Sequence, residues 1–113
     1  YQMAKVIDDR TTIKQLLEHL ASIPSATGDV ELETIFDDTQ NRYQVIAQGW
    51  QGKRRMYGCL VHIDVKGSKI WLQHDSTDAE IAEELVERGI PKERIVLGFL
   101  PESVRPHTGY AVN

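Results

Sequence analysis

The sequence predicts an α+β fold: an antiparallel four-stranded sheet, plus a short additional strand, with two main helices packed on one side. Three observations predict it. Ile13, Leu16, Leu17, Leu20 and Ile23 recur at spacings of three and four, the apolar face of one helix. From Asp29 to His74 the period drops to two, interrupted by polar or glycine-containing turns. A second helical pattern then runs from Thr77 to Gly89, followed by the short apolar run Ile95-Val96-Leu97.

The first helix begins by Thr12 and is expected to end at Pro24, Ser25 and Gly28. Residues 1–11 form either an arm or an extension of that helix, within one domain spanning residues 1–113. In the first strand Val30, Leu32 and Thr34 alternate with Asp29, Glu31 and Glu33, and the pattern continues to Phe36. The polar run from Asp37 to Arg42 is a turn, Tyr43 to Trp50 a second strand, and Gln51-Gly52 a tight turn. Lys53 to Val65 is a long third strand. Gly67-Ser68 suits a two-residue hairpin with positive φ at the glycine, and Lys69 to His74 is the fourth strand.

Thr77-Asp78-Ala79-Glu80 reads as a capping box, in front of an apolar face of Ile81, Ala82, Leu85 and Val86. Gly89 and Pro91 stop this helix. Ile95 to Leu97 is expected to be a buried strand, and the tail from Pro101 to be extended and packed over the sheet.

Composition narrows the classes of function. The chain has 113 residues, 41% of them apolar and 27% charged, the balance of an ordinary globular protein. No apolar stretch reaches the ~20 residues of a membrane helix, and no signal-peptide pattern is present. One cysteine, Cys59, excludes an internal disulfide and fits a reducing cytoplasm. Cys59 lies in an apolar run without adjacent cations, the setting of a structural thiol. The net charge of −4 offers no general affinity for nucleic acid, so such contact would need a local patch. The densest is Lys53-Arg54-Arg55.

The segment VHIDVKGSKIWLQHD, from Val61 to Asp75, holds two histidines and two aspartates. Counting outward from Gly67-Ser68 places Val61, Ile63, Val65, Ile70, Leu72 and His74 on one sheet face. His62, Asp64, Trp71 and Gln73 fall on the other, so a joint site for both histidines is not expected. His62 and Asp64 share a face, but zinc usually wants three or four ligands and no further Cys or His is spaced to join them. No metal or cofactor is therefore assigned, and no catalytic residues; a metal-dependent enzyme built on His62 and Asp64 stays as the third alternative, behind protein docking and DNA contact. His74 is expected at the core edge and Asp75 in a turn. A Gly-rich phosphate loop, Gly-x-Ser-x-Gly and His-Glu-x-x-His are all missing from the sequence.

Two surfaces emerge as candidates. Trp50, His62, Asp64, Trp71 and Gln73 make up a protein-docking set, because Trp and other aromatics on a sheet face need a cover. Lys53, Arg54 and Arg55, flanked by Trp50 and Tyr57, make up a phosphate-contacting set, although exposed turns also carry such cations for solubility alone. An open sheet with free edges also predicts a homo-oligomer.

TGDVELETIFD (Thr27 to Asp37), YQVIAQGWQGKRRMYGCLVHIDVKGSKIWLQHD (Tyr43 to Asp75) and ELVERGIPKERIVLGF (Glu84 to Phe99) resemble the XisI family. The members of that family are fdxN element excision controlling factors. The resemblance runs from about Ile13 to the closing TGYAVN and is most specific from Gly49 to Asp75. It implies a small cytoplasmic α+β protein of filamentous cyanobacteria and some other bacteria. The implied role is accessory: controlling, with a XisH-like partner protein, the excision of a DNA element by a separate recombinase. The resemblance brings no catalytic residues, and XisH-type partners resemble a nuclease-like fold.

Overall fold

The computed structural model describes the backbone of residues 2–23 and 29–113, with side chains from Asp9 onward. Helix α1 spans Gln2–Ser22, so the residues ahead of Thr12 extend the helix. Ile13, Leu16, Leu17 and Leu20 are buried, as their spacing requires, but Ile23 lies beyond the last turn and is half exposed. The expected stop at Pro24, Ser25 and Gly28 lies outside the described residues.

Strands β1 (Asp29–Asp37), β2 (Arg42–Gln51), β3 (Arg54–Lys66) and β4 (Lys69–Asp75) pair antiparallel in sequence order. The turn between β2 and β3 is Gly52-Lys53, one residue later than Gln51-Gly52, because Gly52 supplies the positive φ that its first central position needs. Lys53 therefore belongs to the turn and Arg55 stands opposite Trp50. Gly67 has a φ of 61° and Lys66 faces Lys69, so this two-residue turn sits where the sequence places it. Strand β5 (Ile95–Leu97) joins β4 in parallel, reached by a crossover through α2 (Ile81–Glu87). The sheet is thus five-stranded and mixed, in the order β1-β2-β3-β4-β5.

Both helices cover one face. Tyr43, Val45, Val61, Ile63, Val65, Ile70, Leu72, Ile95 and Leu97 pack there against α1 and against Ile81 and Leu85 of α2. Burying one such aliphatic side chain stabilises the fold by roughly 1.5–3 kcal/mol. At one rim Asp9 of α1, itself buried, pairs with Arg94, whose Nε also donates to the Ser68 carbonyl at 2.9 Å. This clamp joins α1 to the β3–β4 turn and to the start of β5.

Two expectations fail locally, and for one reason. The register of β3 against β4 shifts between His62 and Ile63: Ile63 faces Leu72, but His62 faces His74 and Val61 faces Asp75. Gln73 is the extra residue of a β-bulge, which resets the alternation beyond it. His74 consequently turns to solvent instead of the core edge, and shares a pair with His62 rather than lying on the opposite face.

The bulge also delivers Asp75 to the head of α2. Its carboxylate accepts from the Thr77 N–H (2.9 Å), the Thr77 hydroxyl (2.6 Å) and the Ile81 N–H (3.4 Å). The Thr77 oxygen is left to accept from the Ala79 N–H at 3.2 Å, a local turn. The capping box therefore does not form, and Glu80 precedes the helix with a φ of 53°. The far end behaves as read. Gly89, at φ 105°, donates to the Val86 carbonyl and Ile90 to that of Leu85, the paired bonds of a Schellman cap.

Candidate functional site

The face turned away from the helices has two halves. Over β4 and β5 the tail forms a cover, not as the extended segment expected but folded through turns and a 3-10 helix at Arg105–His107. Ala111 bridges in parallel to Val96, the Ala111 N–H donates to the Ile95 carbonyl at 2.9 Å, and both Val96 and Ala111 are buried. Arg105 of the tail lies 5.2 Å from the centroid of the Trp71 ring and Lys66 lies 4.9 Å from it. Trp71 is thus already engaged by two cations of its own chain. Gly98 sits against the same cluster; a Cβ there would fall 2.5 Å from Gln73 Oε1 and 3.2 Å from the Trp71 ring.

Next to Trp71 lies the polar cluster. His62 Nε2 is 2.9 Å from Asp64 Oδ1, and Gln73 Nε2 donates to Asp64 Oδ2 at 3.2 Å. Arg42 stands opposite Asp64 on β2, its Nε 4.0 Å from the carboxylate. Asp64 is the hub: its side chain is largely buried, so both oxygens need partners, and His62 on the same strand and Gln73 across the β3–β4 pair supply them. Among the described residues no group of three or more His, Cys, Asp or Glu side chains is placed to hold a metal ion. Cys59 is half-buried, donating to the Val61 carbonyl (3.2 Å) and approached by the Gln44 amide at 3.7 Å.

Over β1, β2 and the outer part of β3 no described element covers the sheet. Trp50 is on the same face as His62, since β2 alternates without interruption from Gln44, the partner of His62. The Trp50 ring is 51% exposed and carries the Arg55 guanidinium 5.6 Å from its centroid. Tyr57, opposite Gln48, is 71% exposed, and Ile35, opposite Gln44, is 50% exposed. These three apolar side chains share the face with Ile46 and Cys59.

The five docking residues read from sequence therefore occupy one face but two places. His62, Asp64 and Gln73 form one bonded cluster with Trp71 beside it, while Trp50 stands at the distant hairpin end. Tyr57 and Ile35 were missed as members of the set. Strand alternation places Tyr57 on the face of Trp50 under either turn placement, and the β1–β2 register, with Ile35 opposite Gln44, adds Ile35. Lys53, Arg54 and Arg55 are all exposed at that hairpin tip. Arg54 and Arg55, as neighbours on β3, point to opposite faces.

Fold and site together define a small α+β protein with a helix-covered sheet face, a tail-covered corner and an uncovered aromatic patch. The family model described as XisI protein matches residues 3–112. The chain belongs to the XisI family. A XisI-like protein from Anabaena variabilis is 42% identical, with a TM-score of 0.88 over 96% of this chain and 99% of that one. The fdxN element excision controlling factor XisI from Anabaena variabilis is 30% identical, with a TM-score of 0.81 over the same shares. Among curated proteins none matches the chain significantly.

Proposed function

We propose that this protein is a non-enzymatic controlling factor for excision of a DNA element, acting in the cytoplasm by binding a XisH-like partner. The observation that carries the reading is the uncovered patch: Trp50, Tyr57 and Ile35 lie exposed on the sheet face turned away from α1 and α2. Tryptophan and tyrosine are the side chains most often found as interface anchors, and a cluster of this kind on a sheet is stabilised by a protein cover. The cluster of His62, Asp64 and Gln73 supplies a polar rim next to it, and the name carried by the Anabaena relative supplies the process. Co-expression with a XisH-like protein tests it: a stable complex is expected, and two proteins that separate on a sizing column contradict it. A homodimer seen by light scattering, weakened by Trp50→Ala, would assign the patch to a second copy instead.

A second reading, direct DNA contact through Lys53, Arg54 and Arg55, draws support from the exposure of all three at one hairpin tip. The split of Arg54 and Arg55 between faces, and the hold of Trp50 on Arg55, count against it. It requires salt-sensitive binding to duplex DNA that the triple alanine variant loses.

A further inference from the structure

Strand β1 is the outermost strand of the sheet at the end opposite β5, and among the described residues no strand pairs with its outer edge. Nine residues long, it is paired with β2 in unbroken register and contains no proline or glycine. Edge strands of this length present a row of unpaired backbone N–H and C=O groups. We propose that β1 is a strand-addition site for an extended basic segment of a partner protein. The inference concerns the sheet's edge, and so goes beyond the reading of its uncovered face.

Two features specify the occupant. The first is charge. DVELETIFD carries four carboxylates and no basic side chain, and Asp29, Glu31 and Glu33 lie exposed along the outer face at two-residue intervals. A strand with Lys or Arg at alternate positions would set a cation beside each of them. The second is shape. On the helix side, an open groove of about 520 Å³ runs between β1 and the end of α1, lined by Ala21, Ser22, Leu32 and Thr34, with Glu18 and Glu33. The intervening residues of an added strand would point into it, and small apolar or β-branched side chains suit that lining. The matching segment therefore alternates Lys or Arg with Val or Thr.

A second copy of β1 is the wrong occupant. Antiparallel self-pairing centred on Glu33 would place Glu33 against Glu33 and Asp29 against Asp37. Moving the axis to Leu32 or Ile35 sets Glu31 against Glu33, or Glu33 against Asp37. Like charges directly opposite one another destabilise a sheet pair. The edge is thus guarded against its own copy while remaining open to a strand of opposite charge.

The test uses the full chain and a labelled peptide of repeating Lys-Val-Lys-Thr, with a Glu-Val-Glu-Thr peptide as control. Fluorescence anisotropy at low salt is expected to show the lysine peptide binding at least about tenfold more tightly, with the gap closing as salt rises. Glu31→Lys with Glu33→Lys, both at exposed positions, should reverse the preference between the peptides. Lysine peptides N-methylated at the odd or at the even positions separate strand addition from loose charge pairing. One of the two should bind no better than the glutamate control, because half of the peptide N–H groups face β1. Equal binding of both methylated peptides, unchanged preference in the double variant, or no gain in amide exchange protection along β1 overturns the proposal.

Discussion

His62 and His74 stand opposite each other across β3 and β4, although counting from the Gly67-Ser68 turn separates them. Gln73 makes the difference: as the extra residue of the bulge it keeps its amide on Asp64, 3.2 Å away. Asp64, with both oxygens engaged, is the residue whose loss the cluster should feel most. Asp64→Ala should cost about 1–2 kcal/mol, since it strands the partners of a largely buried carboxylate. His62→Ala should cost less, because Gln73 still serves Asp64. Urea denaturation of the two variants checks the order, and a larger loss for His62→Ala would contradict it.

Gly49 makes a sharper prediction. Its φ is 152°, and a Cβ on it would lie 1.9 Å from the Asp29 carbonyl oxygen and 2.7 Å from the Val30 Cα. Those atoms belong to the backbone of β1 and cannot swing aside. Gly49→Ala must push β1 off β2 at that end and should cost roughly 3 kcal/mol, at the high end for a single substitution. Hydrogen exchange should show the loss first at whichever of the Asp29 and Val30 amides bonds to β2, since neighbouring amides of an edge strand face opposite ways. Protection there equal to wild type would refute this account.

Glu80 carries two local penalties: a left-handed backbone at φ 53° and the carboxyl of Glu83, which hydrogen-bonds to it and holds its pKa above the usual range. A carboxyl with a raised folded-state pKa favours the fold below its unfolded pKa, and that contribution is lost as pH rises through the folded value. Glu80→Gly removes both penalties at neutral pH, so the melting temperature should rise by several degrees. The gain should shrink on acidification. A lower melting temperature at neutral pH would show that Glu80 does something else at the head of α2.

Asp38 behaves in the opposite sense. Lys14 bonds to it at 2.6 Å and the Tyr43 hydroxyl at 2.7 Å, and these two hydrogen bonds hold its carboxyl below the usual carboxylate range. Its folded pKa is depressed, so its contribution is present above the unfolded value of 3.8 and disappears as pH falls through the folded one. The urea midpoint of Asp38→Asn should trail wild type by a constant margin above about pH 5 and converge with it in stronger acid. Parallel curves down to acid unfolding would contradict this.

Much of this fold is legible in the sequence because burial enforces it. Val61, Ile63, Val65, Ile70 and Leu72 sit in the core where strict alternation puts them, and the register near the Gly67-Ser68 turn follows from the turn alone. The bulge at Gln73 was not legible, since an extra residue changes no composition and reveals itself only where a polar side chain gains a partner. The head of α2 was misread for the same reason. Thr77 has the right residues after it, but Asp75, carried inward by the bulge, takes its N–H and hydroxyl first. Trp71 looked like free docking surface because the cations that cover it, Lys66 and Arg105, include one from a distant tail.

If a XisH-like partner docks on the uncovered aromatic patch, Trp50 and Tyr57 should carry its binding. Calorimetric titration of that partner with wild type, the double variant Trp50→Ala/Tyr57→Ala, and the triple variant Lys53→Ala/Arg54→Ala/Arg55→Ala tests it most directly. The account predicts that the double variant loses at least about 2 kcal/mol of binding, some thirtyfold in Kd, and that the triple variant loses far less. A double variant that binds as wild type does, or a triple variant that alone abolishes binding, would contradict it.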